Sequence, residues 1–109
     1  MTSRLKKELG LLNQLQKGDK KLQRGILANL PKNTLRCICD CCFNILNSNI
    51  PLSPGHKKNL NKFKTDIRYL GRKGGNLKKN QKLLVHRGSL ASAILAPVLA
   101  VAVPLFAEW

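Results

Sequence analysis

Apolar side chains recur at helical spacing in the first part of the chain. The spacing predicts an amphipathic helix over residues 2–17, which Gly18 ends, and a shorter helix up to Leu30, where Pro31 stops the pattern. The apolar positions of these two helices are Leu5, Leu9 and Leu12, then Leu22, Ile26 and Leu30. No strand-like alternation persists anywhere, so we predict an all-α protein.

Residues 34–46 predict the most buried helix, with Asn33 as its N-cap. A wide apolar face and a narrow polar strip suggest that neighbours surround this helix. The apolar face consists of Leu35, Ile38, Cys39, Cys42, Ile45 and Leu46.

The four cysteines of the chain crowd into this same helix. They are Cys37, Cys39, Cys41 and Cys42. Such crowding differs from a secreted disulfide framework and favours a reducing intracellular setting. Cys37 and Cys41 are one helical turn apart and could chelate an ion together, but Cys39 and Cys42 point to the apolar face. Structural zinc needs four convergent ligands, so we expect reduced core cysteines, no metal site and no cofactor.

The next segment gives the clearest helix signal. Ser53 is a good N-cap and Pro54 suits the first helical position of a Lys-rich amphipathic helix over residues 53–70. Its apolar stripe consists of Leu60, Phe63, Ile67 and Leu70. A basic, glycine-rich connector over residues 71–75 precedes a short basic helix that Asn76 caps and that reaches about Val85.

Residues 88–107 carry no charge. As a helix these twenty residues would be ~30 Å long, about the thickness of the hydrocarbon core of a bilayer, with Pro97 and Pro104 as kinks. We expect this apolar tail to contact a membrane or a capsid, and a buried core segment is the alternative.

Charge indicates the class of partner. The chain has 20 lysines and arginines against five acidic residues, a net charge of +15, and 5% aromatic residues. Residues 56–87 hold eleven cations and one anion. Nucleic acid is the commonest partner of such a chain and an anionic membrane is the second. With so few aromatics, contact with phosphates is favoured over reading of bases.

We predict that the basic segment binds DNA without sequence specificity. The predicted contacts are Lys57, Lys58, Lys62, Lys64, Arg68, Arg72, Lys73, Lys78, Lys79, Lys82 and Arg87. A solvated basic face and a nuclear localisation signal are the alternatives. The acidic residues form no paired-carboxylate signature, and no phosphate loop or nucleophile elbow occurs, so we expect no enzyme.

Residues 51–90 resemble a small protein encoded by Polinton/Maverick elements and adintoviruses. The shared pattern is a Pro-Leu-Ser helix start at residues 51–53, a Lys-rich helix, a Leu-Lys-Lys run at residues 77–79, and the sequence LLVHRG at residues 83–88 before an apolar tail. The upstream sequence CDCCFNILNSN also fits, and the resemblance covers roughly residues 30–105.

That group is similar to the adenovirus core protein X, the precursor of mu. The resemblance implies a virion core protein that condenses genomic DNA, locates to the virion and to the host nucleus during assembly, and contacts capsid proteins. It also implies processing by the viral cysteine protease at Arg87, Gly88 and Ser89. The sequence departs from the processing pattern at His86, where an aliphatic residue is expected, and at Ser89, where glycine is expected.

Three segments follow: a helical region with the Cys-rich helix over residues 1–50, the basic nucleic-acid-binding segment over residues 51–87, and the apolar tail over residues 88–109. Two alternatives remain. One is a small tail-anchored or membrane-active protein whose basic part binds anionic lipid, and the other is a host nucleic-acid-binding protein of another kind.

Overall fold

Helices account for all the regular secondary structure of the described residues, which confirms the predicted all-α class. The computed structural model describes the backbone of residues 2–17, 19–72 and 74–107, and the side chains of residues 10–17, 19–72, 74–87 and 89–100. The helices are α1 (Thr2–Lys17), α2 (Lys20–Ala28), α3 (Lys32–Leu46), α4 (Pro54–Asn61), α5 (Lys64–Gly71), α6 (Leu77–His86) and α7 (Gly88–Ala107).

Side-chain caps start three of these helices. Ser53 Oγ accepts from the His56 N–H at 3.1 Å and Asn76 Oδ1 accepts from the Lys79 N–H at 3.1 Å, which confirms both predicted caps. Asp19 caps α2 in the same way. The prediction of Asn33 as the cap of α3 is wrong, because the helix begins earlier, after Pro31, whose extended backbone places its carbonyl to accept from the Leu35 N–H at 2.9 Å.

The single helix predicted over residues 53–70 is two helices. At Phe63 the backbone leaves helical geometry, with φ −114° and ψ 21°. The break lets the two halves bury their apolar residues against different partners, since α4 packs against α7 and α5 packs against α3. Leu60 is thereby buried beside one helix, and Ile67 and Leu70 beside another.

Helices α3 and α7 form the centre of the molecule. α7 packs against α1, α2, α3, α4 and α6, and its larger described aliphatic side chains are almost fully buried. These side chains are Leu90, Ile94, Leu95, Val98 and Leu99, each at most 3% exposed. The helix continues through Pro97, and the side chain of Pro104 lies outside the described residues. The described part of the tail is therefore a core segment, the alternative that the sequence left open.

The burial of α3 extends around more of the helix than its apolar pattern indicated. The side chains of Cys37, Cys41 and Cys42 are fully buried, whereas that of Cys39 is half-buried. Cys37 and Cys41 are buried because α1, α5, α6 and α7 all pack on α3. Leu46, predicted on the apolar face, is 42% exposed.

The buried face of α2 also differs from the apolar stripe that the sequence predicts. Leu22 is 51% exposed, while Leu27 is fully buried and Leu30 nearly so. Helix α2 is held from two sides by side-chain hydrogen bonds. Gln81 Nε2 donates to the carbonyl oxygens of Leu27 and Ala28 at 3.1 Å, and Gln23 Nε2 donates to Ser92 Oγ at 2.8 Å.

Helices α3 and α5 approach each other closely at Gly71. A Cβ placed on Gly71 would lie 2.9 Å from Leu46 Cδ1 and 3.0 Å from the Phe43 backbone nitrogen. Because these neighbours include backbone atoms, any side chain at this position would push the two helices apart. Gly71 thus fixes the distance between the buried Cys-rich helix and the basic segment.

Candidate nucleic-acid interface

The lysine and arginine side chains of the described residues are all exposed to solvent. The structure describes sixteen of them, from Lys17 to Arg87, against three aspartates, of which Asp40 and Asp66 are half-buried. Ten of the predicted contacts are among the exposed cations, and the eleventh, Lys73, lies outside the described residues. A dense positive surface therefore covers an apolar interior.

The basic helices are neighbours in space. Helix α6 packs against both α2 and α5, and α5 packs against α4. We call the exposed lysines and arginines of these four helices, and of the turns that directly follow α4, α5 and α6, the basic band. The predicted contacts on α4, α5 and α6 therefore lie on helices that adjoin one another.

Sequence reasoning missed the contribution of α2 to this surface. Lys20, Lys21 and Arg24 are exposed on α2, which the hydrogen bonds of Gln81 hold against α6. The only signal in the sequence was the net positive charge of the first 36 residues. That signal could not place α2 beside α6, because more than 50 residues separate Gln81 from its acceptors along the chain.

Arg87 has a structural contact in addition to its predicted role. Its Nε lies 3.0 Å from Asp66 Oδ2, and its guanidinium lies 5.6 Å from the centre of the Phe63 ring. The side chain remains 47% exposed. Arg87 thus joins the turn between α6 and α7 to α5, and it is partly neutralised before any phosphate approaches.

The junction predicted for proteolysis is folded into this same turn. The Leu90 N–H donates to the Arg87 carbonyl at 2.9 Å, and α7 begins at Gly88. Ser89 is exposed. A protease that binds an extended substrate would have to unwind the start of α7, so processing at Arg87, Gly88 and Ser89 requires local opening.

The surroundings of three thiols, Cys39, Cys41 and Cys42, favour their protonated form. Burial raises the pKa of Cys39 and of Cys42, and a hydrogen bond with Cys37 followed by burial raises the pKa of Cys41. Thiolates are the form that binds metals and attacks electrophiles. Within the described part of the chain, no group of three or more metal-binding side chains occurs.

A bilayer span is not evident in any single helix of the described residues, judged by length and hydropathy. Helix α6 and residues 89–100 of α7 have the length and hydropathy of a bilayer span only when they are taken together, and they meet at a bend of 102°.

Comparison with known proteins adds no relative. No family model matches the chain, and no curated protein or solved structure is significantly similar to it.

Proposed function

We propose that this protein is a non-enzymatic DNA-binding protein that contacts phosphates through the basic band and condenses DNA. The observation that supports this most is the exposure of the sixteen described cations over an apolar core. Lysines and arginines that face solvent can reach phosphates without unfolding, and each contact releases counterions from the DNA.

Magnitudes agree with condensation. The molecule is 35 Å long, a length of duplex that carries roughly 20 phosphate charges at one charge per ~1.7 Å. A net charge of +15 is a large part of that number. A duplex coated with this protein would therefore lose most of the repulsion that keeps DNA segments apart.

Salt dependence tests the proposal. Fluorescence anisotropy with two unrelated duplexes of equal length should give equal affinities and a log–log salt slope near −5, if about six phosphates are contacted. Light scattering of long DNA should rise as the added protein approaches charge equivalence. An affinity that does not change with salt concentration, or a strong preference for one of the two duplexes, would contradict the proposal.

A place in the core of a virus-like particle is proposed from the resemblance of residues 51–90 to the Polinton/Maverick and adintovirus protein. Intact-mass analysis of purified DNA-containing particles should detect the chain, full-length or cut near Gly88. Particles that contain DNA and lack the chain would contradict this role. A full-length chain alone would show that the viral protease does not cut at this junction.

Contact of residues 88–107 with a membrane or a capsid stays a prediction. The described part of α7 is buried against α1 and α3, so such contact would require the helix to leave the core. The exposed lysines offer a second attraction, to anionic headgroups, that requires no such change.

A further inference from the structure

A cleft of about 360 Å³ opens beside the basic band, between α3, the end of α5 and the start of α6. Its lining combines two arginines, the carboxylate of Asp40, an aromatic ring, a thiol, a glycine-rich loop and a buried amide, so positive charge exceeds negative charge there by one. The residues that matter for its chemistry are Arg36, Cys39, Phe43, Arg72, Gly75 and Asn80.

The buried amide has an unused hydrogen-bond acceptor. Asn80 is 2% exposed, and its Nδ2 donates to Cys39 Sγ at 3.5 Å. Its Oδ1 has no hydrogen-bond partner. A buried carbonyl oxygen without a donor destabilises the fold, so its persistence here calls for an explanation. A ligand with an N–H group would supply the missing donor.

The rim of the cleft carries positive charge and an exposed ring. Arg36 and Arg72 are both exposed, and the Arg72 guanidinium lies 4.4 Å from the centre of the Tyr69 ring, which holds it in place. Phe43 is 39% exposed, so part of its ring faces solvent at the rim. The rim thus suits an anion next to a flat apolar group.

The loop that borders the cleft depends on glycine. Gly74 has φ +71°, a conformation that residues with a side chain rarely adopt. A Cβ on Gly75 would lie 3.4 Å from Asn80 Nδ2, so a larger side chain at this position would cover the amide. The two glycines thus leave the loop without side chains next to the buried amide of Asn80.

We propose that this cleft receives one unpaired nucleobase of a DNA strand. The base ring lies against Phe43, and neighbouring phosphates contact Arg36 and Arg72. Because Asn80 is only 2% exposed, its amide turns toward the cleft as the base enters, and an N–H of the base then donates to Oδ1. Each of the four bases has such a donor, so the cleft selects unpaired over paired DNA and not one sequence over another. The inference rests on the proposed function, because the basic band brings the strand to the cleft.

Charge-neutral variants separate the cleft from the basic band. Asn80→Leu removes the unused acceptor and keeps a similar volume, and Phe43→Leu removes the exposed ring. Leu22→Ala, at an exposed apolar position of α2 outside the cleft, is the matched control. All three leave the net charge at +15, and circular dichroism with thermal unfolding checks the fold.

Anisotropy measurements would use a single strand, a strand of the same length with every base removed, and the matching duplex. Wild type should bind the intact strand at least about fivefold more tightly than the abasic strand, the range expected for one stacked base. Asn80→Leu and Phe43→Leu should lose this preference, while Leu22→Ala should keep it. Duplex affinity and salt slope should be the same in all four proteins.

Two results would overturn the inference. In one, wild type binds intact and abasic strands equally. In the other, both cleft variants fold and keep the preference of wild type. A third measurement uses deoxyadenosine monophosphate as the ligand. If this nucleotide binds through Asn80 while wild type shows no preference for the intact strand, the cleft is a site for free nucleotides and the inference is wrong. A failure of the proposed function would give a different result, because wild type would then show no salt-dependent binding to any of the three DNAs.

Discussion

Helices α6 and α7 meet at Arg87, yet they have opposite environments. Helix α6 exposes Lys78, Lys79 and Lys82, whereas the leucine, isoleucine and valine side chains of α7 from Leu90 to Leu99 are almost fully buried. The bend of 102° between them turns one helix onto the surface and the other into the centre. In the described part of the chain, the basic segments therefore form the outside of one packed structure and the apolar segments form its inside.

The largest expected effect tests the inside half of this comparison. Leu95→Ala in α7 should lower the free energy of unfolding by about 2–5 kcal/mol, because it leaves a cavity in the core. The exposed-position variant Leu22→Ala should change it by no more than about 0.5 kcal/mol. Urea denaturation measures both. Equal stability of the two variants would show that α7 does not belong to the core.

A pair of glycine variants tests the contact between the core and the basic band. Gly71→Ala should destabilise by about 1–3 kcal/mol, because its Cβ meets the backbone of α3. Gly25→Ala, in an open position of α2, should stabilise by up to about 1 kcal/mol through helix propensity. Thermal unfolding measures both changes in stability. Changes of the same sign for the two variants would contradict the close approach of α3 and α5.

Alkaline pH tests the burial of the thiols. The pKa values of Cys39, Cys41 and Cys42 are raised above the ordinary value of 9.0, so above pH 9 the unfolded chain loses protons that the folded chain keeps. Their contribution to stability is complete below pH 9 and falls as the pH rises further. Above pH 9, the free energy of unfolding should fall more steeply with pH for wild type than for Cys41→Ala. The two slopes should differ by at most about 1.4 kcal/mol per pH unit.

Because both proteins keep the same lysines, the difference between their slopes isolates the thiol. Parallel slopes above pH 9 would show that Cys41 ionises in the folded protein.

The smallest effect concerns the bend itself. Asp66→Asn removes the ion pair with Arg87, which is half exposed, and should cost no more than about 1 kcal/mol. The released Arg87 should also bind DNA slightly more tightly, in a test by anisotropy at low salt. A loss of affinity would mean that the ion pair positions Arg87 for phosphate contact.

Local rules explain what the sequence could predict. Helix periodicity outlined α1, α2 and α3 and the stretch that became α4 and α5, and the caps at Ser53 and Asn76 follow from their own side chains. The break at Phe63 could not be predicted, since it arises from two different packing partners, α7 and α3. The same holds for the burial of Cys37 and for α2 beside α6, which depend on contacts between distant residues.

The candidate interface divides in the same way. Exposure of the predicted lysines follows from their charge, and the structure agrees for each that it describes. The cleft was not predictable, because Asn80 reads as an ordinary polar residue of a basic helix until α3 packs against it. Its unused acceptor is a property of the fold.

The central claim is that exposed lysines and arginines of the basic band hold duplex DNA by its phosphates. The most direct test is the salt slope of a variant in which Lys57, Lys58, Lys62 and Lys64 are all changed to glutamine. These side chains are exposed, so the fold should be retained. If all four contact phosphates, the log–log slope should become shallower by about 3.6 for every duplex sequence. A folded variant with the slope and affinity of wild type would contradict the account.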